Sequence, residues 1–508
     1  MSFPKASKAD IALLLEGTFP YVSGGVSSWV NQIIRAFPQY SFALVFLGSR
    51  RSDYGEPKYA LPDNVVHLET HYLHEHWGKV EEIKPMTGDA KVFGAIRDLH
   101  TKFKELSNIP ASMEAFKGIV PELISGNRLS LDQFLHSEES WRFITEQYKS
   151  YCIDPSFVDY FWTVRIMHQP LWQLAAIAKE LIPVNCLHTI STGYAGFLGA
   201  MIKSLNGAPL ILSEHGIYTK ERKIDLYQNQ YIRDNRNIFQ KDPTELSYFR
   251  QMWINFFEWL GRLCYAAADP IISLYEANRL RQITDGAPAE KTFCIPNGVN
   301  LKRLAPLREK RNKTPPPVLC LIGRVVPIKD IKTFIRAMRS VVNQMPDAEG
   351  WIAGPEDEDP GYAEECRNLV ESLGLQDKVK FLGFQKIDEL MPKIGLIILS
   401  SISEALPLVI LEGYAAGVPC VSTDVGSCRQ LIEGLSDEDK ALGSAGGVVR
   451  IADPQALAEV SVSLLSNEEN WYEAQLAGIR RVEKFYVDEM MFNQYQEVYE
   501  SALASHRT

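Results

Sequence analysis

The chain has 508 residues, of which 46% are hydrophobic and 10% aromatic, which is enough for roughly two or three domain cores. Its formal net charge is −10, from 53 Lys and Arg against 63 Asp and Glu. That balance argues against a general nucleic-acid or membrane-binding surface, since both partners are polyanions, so an anionic ligand must meet a focused cluster of cations.

The first apolar run, "IALLL" at residues 11–15, stops at Glu16. It is too short for the apolar stretch of a secretory signal and reads as a first strand. No run reaches the roughly 18 apolar residues of a membrane span, which gives a cytosolic protein as the expectation. In "FPYVSGGVSSWV" (19–30) the chain turns through Gly24 and Gly25 into a helix starting near Val26. The two glycines could let backbone N–H groups approach a phosphate or an acceptor, and a plain turn explains them equally well. The runs "FALVFLG", "CLHTIS", "PLILSEHG", "PIISL" and "TFCIPNG" then alternate with helical patterns, the texture of a parallel α/β sheet.

Between about residues 71 and 170 charge, aromatics and helical periodicity take over, which predicts a helical insertion in the first domain. His188 ends one predicted strand and is expected to make a structural hydrogen bond to a neighbouring loop. His215 follows "PLILSE" and so stands at a ligand-facing strand end, with Glu214 pointing to the other side if the pleat continues. The eight cysteines show no C-x-x-C pair or metal-like spacing and read as reduced core thiols.

Residues 301–318, charged and then proline-rich, read as a connector. A second α/β series follows: "VLCLIGR", "GWIAG", "KVKFLGF", "GLIILSS", "PCVSTD" and "GGVVRI". The predicted organisation is a first Rossmann-like domain over 1–299, a linker over 300–317, a second Rossmann-like domain over 318–480, and a C-terminal helix over 481–508 packing back on the first domain. Each domain is expected to be a doubly wound parallel sheet with ligands at the carboxyl ends of its strands.

In "LCLIGRVVPIKD" a strand ends at Ile322 and Gly323 lets the chain turn, leaving Arg324 and Lys329 at the strand's carboxyl end. A guanidinium and an ammonium there suit a diphosphate, whereas an isolated Arg-x-x-x-x-Lys elsewhere would be two solvated cations. In "SEALPLVILE" (403–412) Pro407 predicts the first turn of a helix, whose N–H groups near Leu408 and Val409 offer an anion site. Glu404 then lies in the loop before the helix, placed to accept hydrogen bonds from sugar hydroxyls, and Glu412 lies on the second turn, placed to accept from a ribose. Taken alone, the two would be a helix-terminus charge and a solvated face residue. "EDED" at 356–359 reads as a polar loop rather than a metal site.

"GRVVPIKD" followed by "SEALPLVILEGYAAGVPCVSTDVGS" resembles the retaining glycosyltransferases of family GT4, of GT-B architecture, with the Arg/Lys pair and the E-x7-E signature at Glu404 and Glu412. "IPNGVN" (295–300) and the glycine loop at 19–30 match the same family, and the length, the insertion and "SEHGIYTKER" resemble its Pel exopolysaccharide subgroup. The resemblance implies two Rossmann-like domains facing across a cleft. It implies that Arg324 and Lys329 hold the donor diphosphate, Glu404 reads the sugar, Glu412 the ribose, and backbone around Gly383 and Phe384 the base, with His215 near the sugar. It also implies a UDP-sugar donor (UDP-glucose or a UDP-N-acetylhexosamine), a polysaccharide acceptor, no metal or other cofactor, and partners in an inner-membrane Pel synthesis complex. The chain departs from the family where Ala405, Leu406 and Pro407 replace a common Gly-Phe-Gly and where Asn300 replaces a common Asp. Two rival readings are a non-catalytic sugar-nucleotide sensor and a NAD-dependent oxidoreductase. The second lacks the Gly-x-Gly-x-x-Gly turn after any predicted strand.

Overall fold

The computed structural model describes residues 4–75, 86–104, 109–152, 156–228, 247–311 and 314–506. Residues 1–3 and 229–246 of the expected first domain, 76–85, 105–108 and 153–155 of the expected insertion, 312 and 313 of the expected linker, and 507 and 508 of the expected last helix lie outside the described residues. The chain forms two compact units, one of Met1–Cys294 with Gln496–Thr508 and one of Ile295–Tyr495.

Among the described residues the first unit is built on seven strands: β1 (Ala9–Glu16), β2 (Phe42–Gly48), β3 (Val65–Tyr72), β4 (Val184–Thr189), β5 (Leu210–Glu214), β6 (Ile271–Ser273) and β7 (Thr292–Cys294). They lie in the order β3-β2-β1-β4-β5-β6-β7, every pairing parallel. Leu13 in the centre of β1 stands opposite Leu44 of β2 on one side and His188 of β4 on the other. β2 is buried along its whole length, as a strand covered on both faces must be, and this is why it reads as a continuous apolar run rather than an alternating one. Strand order reverses between β1 and β4, and such a reversal opens a crevice at the carboxyl ends of the two strands.

Among the described residues five helices, Ala90–Lys104, Ile109–Ser125, Leu131–His136, Glu138–Tyr151 and Phe157–Glu180, separate β3 from β4. Phe116, Phe134 and Phe143 from this layer join the sheet residues in one apolar core. Ser130 and Gln133 begin the third of these helices reciprocally. Gln133 N donates to Ser130 Oγ at 3.1 Å and Ser130 N to Gln133 Oε1 at 3.0 Å, which satisfies two otherwise orphaned donors.

The second unit has six parallel strands among the described residues: β8 (Val318–Ile322), β9 (Glu349–Ala353), β10 (Val379–Gly383), β11 (Leu396–Leu399), β12 (Cys420–Thr423) and β13 (Gly446–Val449), in the order β10-β9-β8-β11-β12-β13. Here the reversal falls between β8 and β11. The helix Ile331–Gln344 buries Ile331, Phe334, Ile335, Met338 and Val341, a stripe at helical spacing that covers the sheet. Residues preceding β8 are partly helical, with a short helix Leu301–Leu304 and a 3-10 segment Ala305–Lys310. No helix among the described residues is long and apolar enough to cross a membrane.

One buried charge ties a late helix of this unit to the segment between β12 and β13. Arg481, fully buried in the helix Glu468–Phe485, donates Nε to Asp439 Oδ1 at 2.5 Å and its remaining nitrogens to the carbonyls of Ile432, Asp439 and Gly443 at 2.8–3.0 Å. Removing one partner of such a pair leaves an uncompensated charge indoors. Arg481→Ala is therefore expected to cost about 3–5 kcal/mol, read as a lowered thermal midpoint of the second unit, and an unchanged midpoint would contradict the assignment.

Candidate functional site

In the second unit, the loops after β8 and β11 meet where the strand order reverses. Gly323 follows β8, its N–H donating to Ala353 O at 2.9 Å, and a Cβ on the adjacent Gly354 would sit 1.9 Å from Gly323 O, so the two turns touch at the backbone. Asp330 adopts a left-handed φ of 44° and its carboxylate accepts from Thr333 N at 3.3 Å, starting the helix that follows. From the other side, Ser400 Oγ donates to the carbonyls of Lys329 (2.9 Å) and Asp330 (3.0 Å), and Ile402 N donates to Ile328 O at 2.9 Å. Thr423 Oγ1 of β12 donates to Ser401 O at 2.6 Å.

Two side chains face each other across these tied loops. Lys329 Nζ donates to Glu404 Oε1 at 2.5 Å, and Ser401 Oγ donates to the same oxygen at 2.5 Å. Both charged side chains are largely shielded, 22% and 13% exposed. The backbone of Glu404 is clamped in turn by the loop after β12: Ser427 N donates to Ala405 O at 2.9 Å, and a Cβ on Gly426, at φ +55°, would lie 2.3 Å from Glu404 O.

The helix after Glu404 begins one residue later than its proline suggested. It spans Leu408–Ala415, and Pro407, at ψ 110°, is its extended N-cap. The ring removes a donor at the cap, and the N–H groups of Leu408 and Val409 donate to no acceptor among the described residues. Glu412 is on the second turn, 3.4 Å from Arg303 Nη2. Burial pushes its carboxyl up, the Arg303 guanidinium opposing. Arg324 is half-exposed and donates Nη1 to both oxygens of Glu358 at 2.6 Å. Gly383 adopts φ +64° with open space where a Cβ would be, and Phe384 is 80% exposed. The structure thus brings Lys329 and Glu404 into contact, gives Arg324 and Glu412 partners of their own, and leaves Phe384 in solvent. Glu358, read from the sequence only as part of a polar loop, and Arg303, not singled out, were not paired with Arg324 and Glu412 because those partners lie 34 and 109 residues away.

The first unit has a cavity of about 330 Å³ at its own strand reversal, walled by the ends of β1, β2 and β4 and by the turn after β5. His215 lines it, 6% exposed, with its ring 4.4 Å from that of Trp29 and its Nε2 without a partner among the described residues. Burial pushes its imidazole down to about 3, so it is neutral. Glu214 turns away into the core, accepting from Tyr265 (2.7 Å), Gln282 (3.0 Å), Tyr218 N (3.1 Å) and Thr192 (3.2 Å). His188 is structural, held by Tyr499 OH and Ser213 Oγ at 2.8 Å each, and burial pushes it down to about 3. A Cβ at Gly24 or Gly25 would meet nothing within 4 Å, so close packing against the protein demands neither glycine. Other polar lining residues, among them Glu16, Thr18, Glu221 and Arg222, had been given no site role from the sequence. Arg222 carried a legible signal, one helical turn past Tyr218 in a segment that begins at the strand end.

Two family models match the chain: "Domain of unknown function (DUF3492)" over residues 9–290 and "Glycosyl transferases group 1" over residues 305–477. Among curated proteins, N-acetyl-alpha-D-glucosaminyl L-malate synthase of Bacillus anthracis is 27% identical over 37% of this chain and 46% of its own length. UDP-Gal:alpha-D-GlcNAc-diphosphoundecaprenol alpha-1,3-galactosyltransferase of Escherichia coli is 26% identical over 39% and 54%. The chain spans about half, or less, of the length of the first curated relatives it matches. Among solved structures, Anabaena HepE in complex with UDP and glucose aligns over 97% of this chain and 100% of that one, at 15% identity and a TM-score of 0.56. Sucrose-phosphate synthase from Thermosynechococcus elongatus aligns over 98% and 100%, at 17% identity and a TM-score of 0.57, a likeness of fold. By the first model, which covers more than half of it, the chain belongs to the DUF3492 family, and its second unit carries a glycosyl transferases group 1 domain.

His188 and His215, whose ordinary value of 6.5 is lowered in the fold, bind fewer protons folded than unfolded. Their contribution to stability is complete above about pH 6.5 and is lost as the pH falls toward 3, by up to about 1.4 kcal/mol per pH unit for each. The first unit's thermal midpoint is expected to fall over this window, with a shallower slope in His188→Gln. Identical slopes in the two proteins would contradict the buried neutral state.

Proposed function

We propose that this DUF3492 member is a retaining, metal-independent glycosyltransferase that moves a sugar from a UDP-linked donor to an acceptor hydroxyl. The observation that carries the reading is the Lys329–Glu404 contact at the β8/β11 reversal. A shielded ammonium paired with a carboxylate in the loop that leads into the helix Leu408–Ala415 suits a diphosphate. When the diphosphate arrives, the ammonium turns from carboxylate to phosphate, and Glu404 is left to accept hydrogen bonds from the hydroxyls of the attached sugar. Arg324 adds a second cation, exchanging Glu358 for phosphate or using its other nitrogens. Glu412 accepts from the ribose and backbone around Gly383 and Phe384 meets the base; in the first unit, His215, as a neutral imidazole, is left to bond a saccharide hydroxyl.

In the proposed step the bond from the anomeric carbon to the diphosphate oxygen breaks and the acceptor oxygen bonds to that carbon from the same face. The departing phosphate takes the acceptor's proton. The charge that grows on the leaving group is met by Lys329, Arg324 and the helix N–H groups, the electrostatic role a metal plays elsewhere. The match to the glycosyl transferases group 1 model and the likeness in fold to UDP-bound HepE support this reading. The motif resemblance supports a growing Pel-type exopolysaccharide as acceptor, made at the cytoplasmic side beside inner-membrane Pel partners, with UDP-glucose or a UDP-N-acetylhexosamine as donor.

Calorimetric titration with UDP tests the site. Arg324→Ala and Lys329→Ala are each expected to weaken binding about tenfold or more, the worth of one charge-assisted contact. Glu404→Ala should keep UDP affinity and lose turnover of the competent UDP-sugar, found by screening sugar nucleotides with product analysis. Unchanged UDP affinity in both cation variants would remove the phosphate assignment, and UDP binding without hydrolysis or transfer from any donor would favour a sensor.

A further inference from the structure

One oxygen of Glu412 is held and the other is not. Oε1 lies 3.4 Å from Arg303 Nη2, and Oε2 accepts no hydrogen bond among the described residues. Burial pushes the carboxyl up, the Arg303 guanidinium opposes that push, and the carboxylate of Asp388 adds to it. A side chain that is to accept from hydroxyls serves best as an ionised, acceptor-only group. The guanidinium therefore does two things at once: it favours the charged form of Glu412 and restricts how the carboxylate can rotate.

Arg303 is itself built into place. It lies on the short helix Leu301–Leu304, where its N–H donates to Asn300 Oδ1 at 2.9 Å and the adjoining Leu304 is fully buried. Farther along, Arg308 Nε donates at 2.7 Å to the carbonyl of Ala415, the last residue of the helix that carries Glu412. That carbonyl would otherwise be one of the orphans of a helix end. A capped start, a buried leucine and a bond to the helix end thus set the segment 300–308 alongside Leu408–Ala415. From there the Arg303 guanidinium has Glu412 on one side and Asp388 Oδ1, at 3.7 Å, on the other.

We infer that Arg303 is a positioning residue for recognition of the donor's ribose: it holds one oxygen of Glu412 so that the other accepts from the ribose hydroxyls. This rests on the glycosyltransferase reading, in which Glu412 meets the ribose, and gives the segment before β8 a part in selecting the nucleotide. Arg303 acts through Glu412 and need not touch the ligand.

Calorimetric titration of the full-length chain with UDP and with its dideoxyribose analogue, whose ribose lacks both free hydroxyls, reads this contact. The two ligands carry the same base and diphosphate, so a change in the overall charge of the site cancels in the ratio of their affinities. The wild-type chain is expected to prefer UDP about tenfold or more, the worth of one charge-assisted contact, and Glu412→Ala to lose that preference. Arg303→Gln should lose most of it and Arg303→Lys, which keeps the charge, should keep part. Asp388→Asn, which removes the second acid and leaves Arg303 in place, should show at least the wild-type ratio. A merely structural role would lower the thermal midpoint of the second unit and leave the ratio alone, so the midpoint is measured in each variant. A wild-type ratio in Arg303→Gln, no rescue by Arg303→Lys, or a fall in Asp388→Asn would overturn the inference while leaving Glu412 on the ribose. A preference that survives Glu412→Ala, or none in the wild-type chain, would overturn it by striking the ribose assignment beneath it. Failure of the wild-type chain to bind UDP would strike the donor reading as a whole.

Discussion

The second unit's candidate site depends on one backbone constraint: reversal of strand order between β8 and β11 sets their outgoing loops side by side, and the Ile402–Ile328 and Ser400–Lys329 hydrogen bonds lock them there. Because the loops are tied at the main chain, the Lys329 ammonium and the Glu404 carboxylate need no long excursion to meet, and little side-chain freedom remains to be lost when a ligand replaces one of them. The small residues that allow this are few. Gly426 admits the third loop against Glu404, buried Ser400 and Thr423 donate their hydroxyls to loop carbonyls, and buried Ser401 donates its own to the Glu404 carboxylate.

The first unit repeats the reversal between β1 and β4 with different chemistry at the strand ends. There the acid ending β1, Glu16, holds a helix start and a tyrosine and lies 3.8 Å from Arg222, while His215 Nε2 and Thr18 Oγ1 are left without a partner among the described residues. Charges matched within the protein mark a site that must open its pair to admit a ligand. Polar groups left unmatched mark one whose ligand must supply the partners.

The architecture was legible in the sequence because doubly covered parallel strands have no polar face: runs such as "FALVFLG" and "LIIL" announce themselves, and the helical stretch between β3 and β4 shows its own period. The strand end at Ile322 and the loop position of Glu404 followed from glycine and proline chemistry, although Pro407 serves as the cap rather than the first turn. Hidden from sequence were the pairings. Arg324 with Glu358 and Glu412 with Arg303 join residues with no shared local pattern, and nothing in a single chain of letters says which loops a sheet's order will bring together. The cavity walls were half visible: His215 stood out by its place after β5, while Glu16 looked only like the end of an apolar run, its role depending on β4 lying beside β1.

The central claim, that the tied loops after β8 and β11 form a diphosphate site, is most directly tested by a crystal structure of the chain grown with UDP. The account predicts the diphosphate within hydrogen-bond distance of Lys329 Nζ and of the N–H groups of Leu408 and Val409, with the Lys329–Glu404 contact lengthened beyond 2.5 Å. UDP bound elsewhere, with that contact intact, would contradict it.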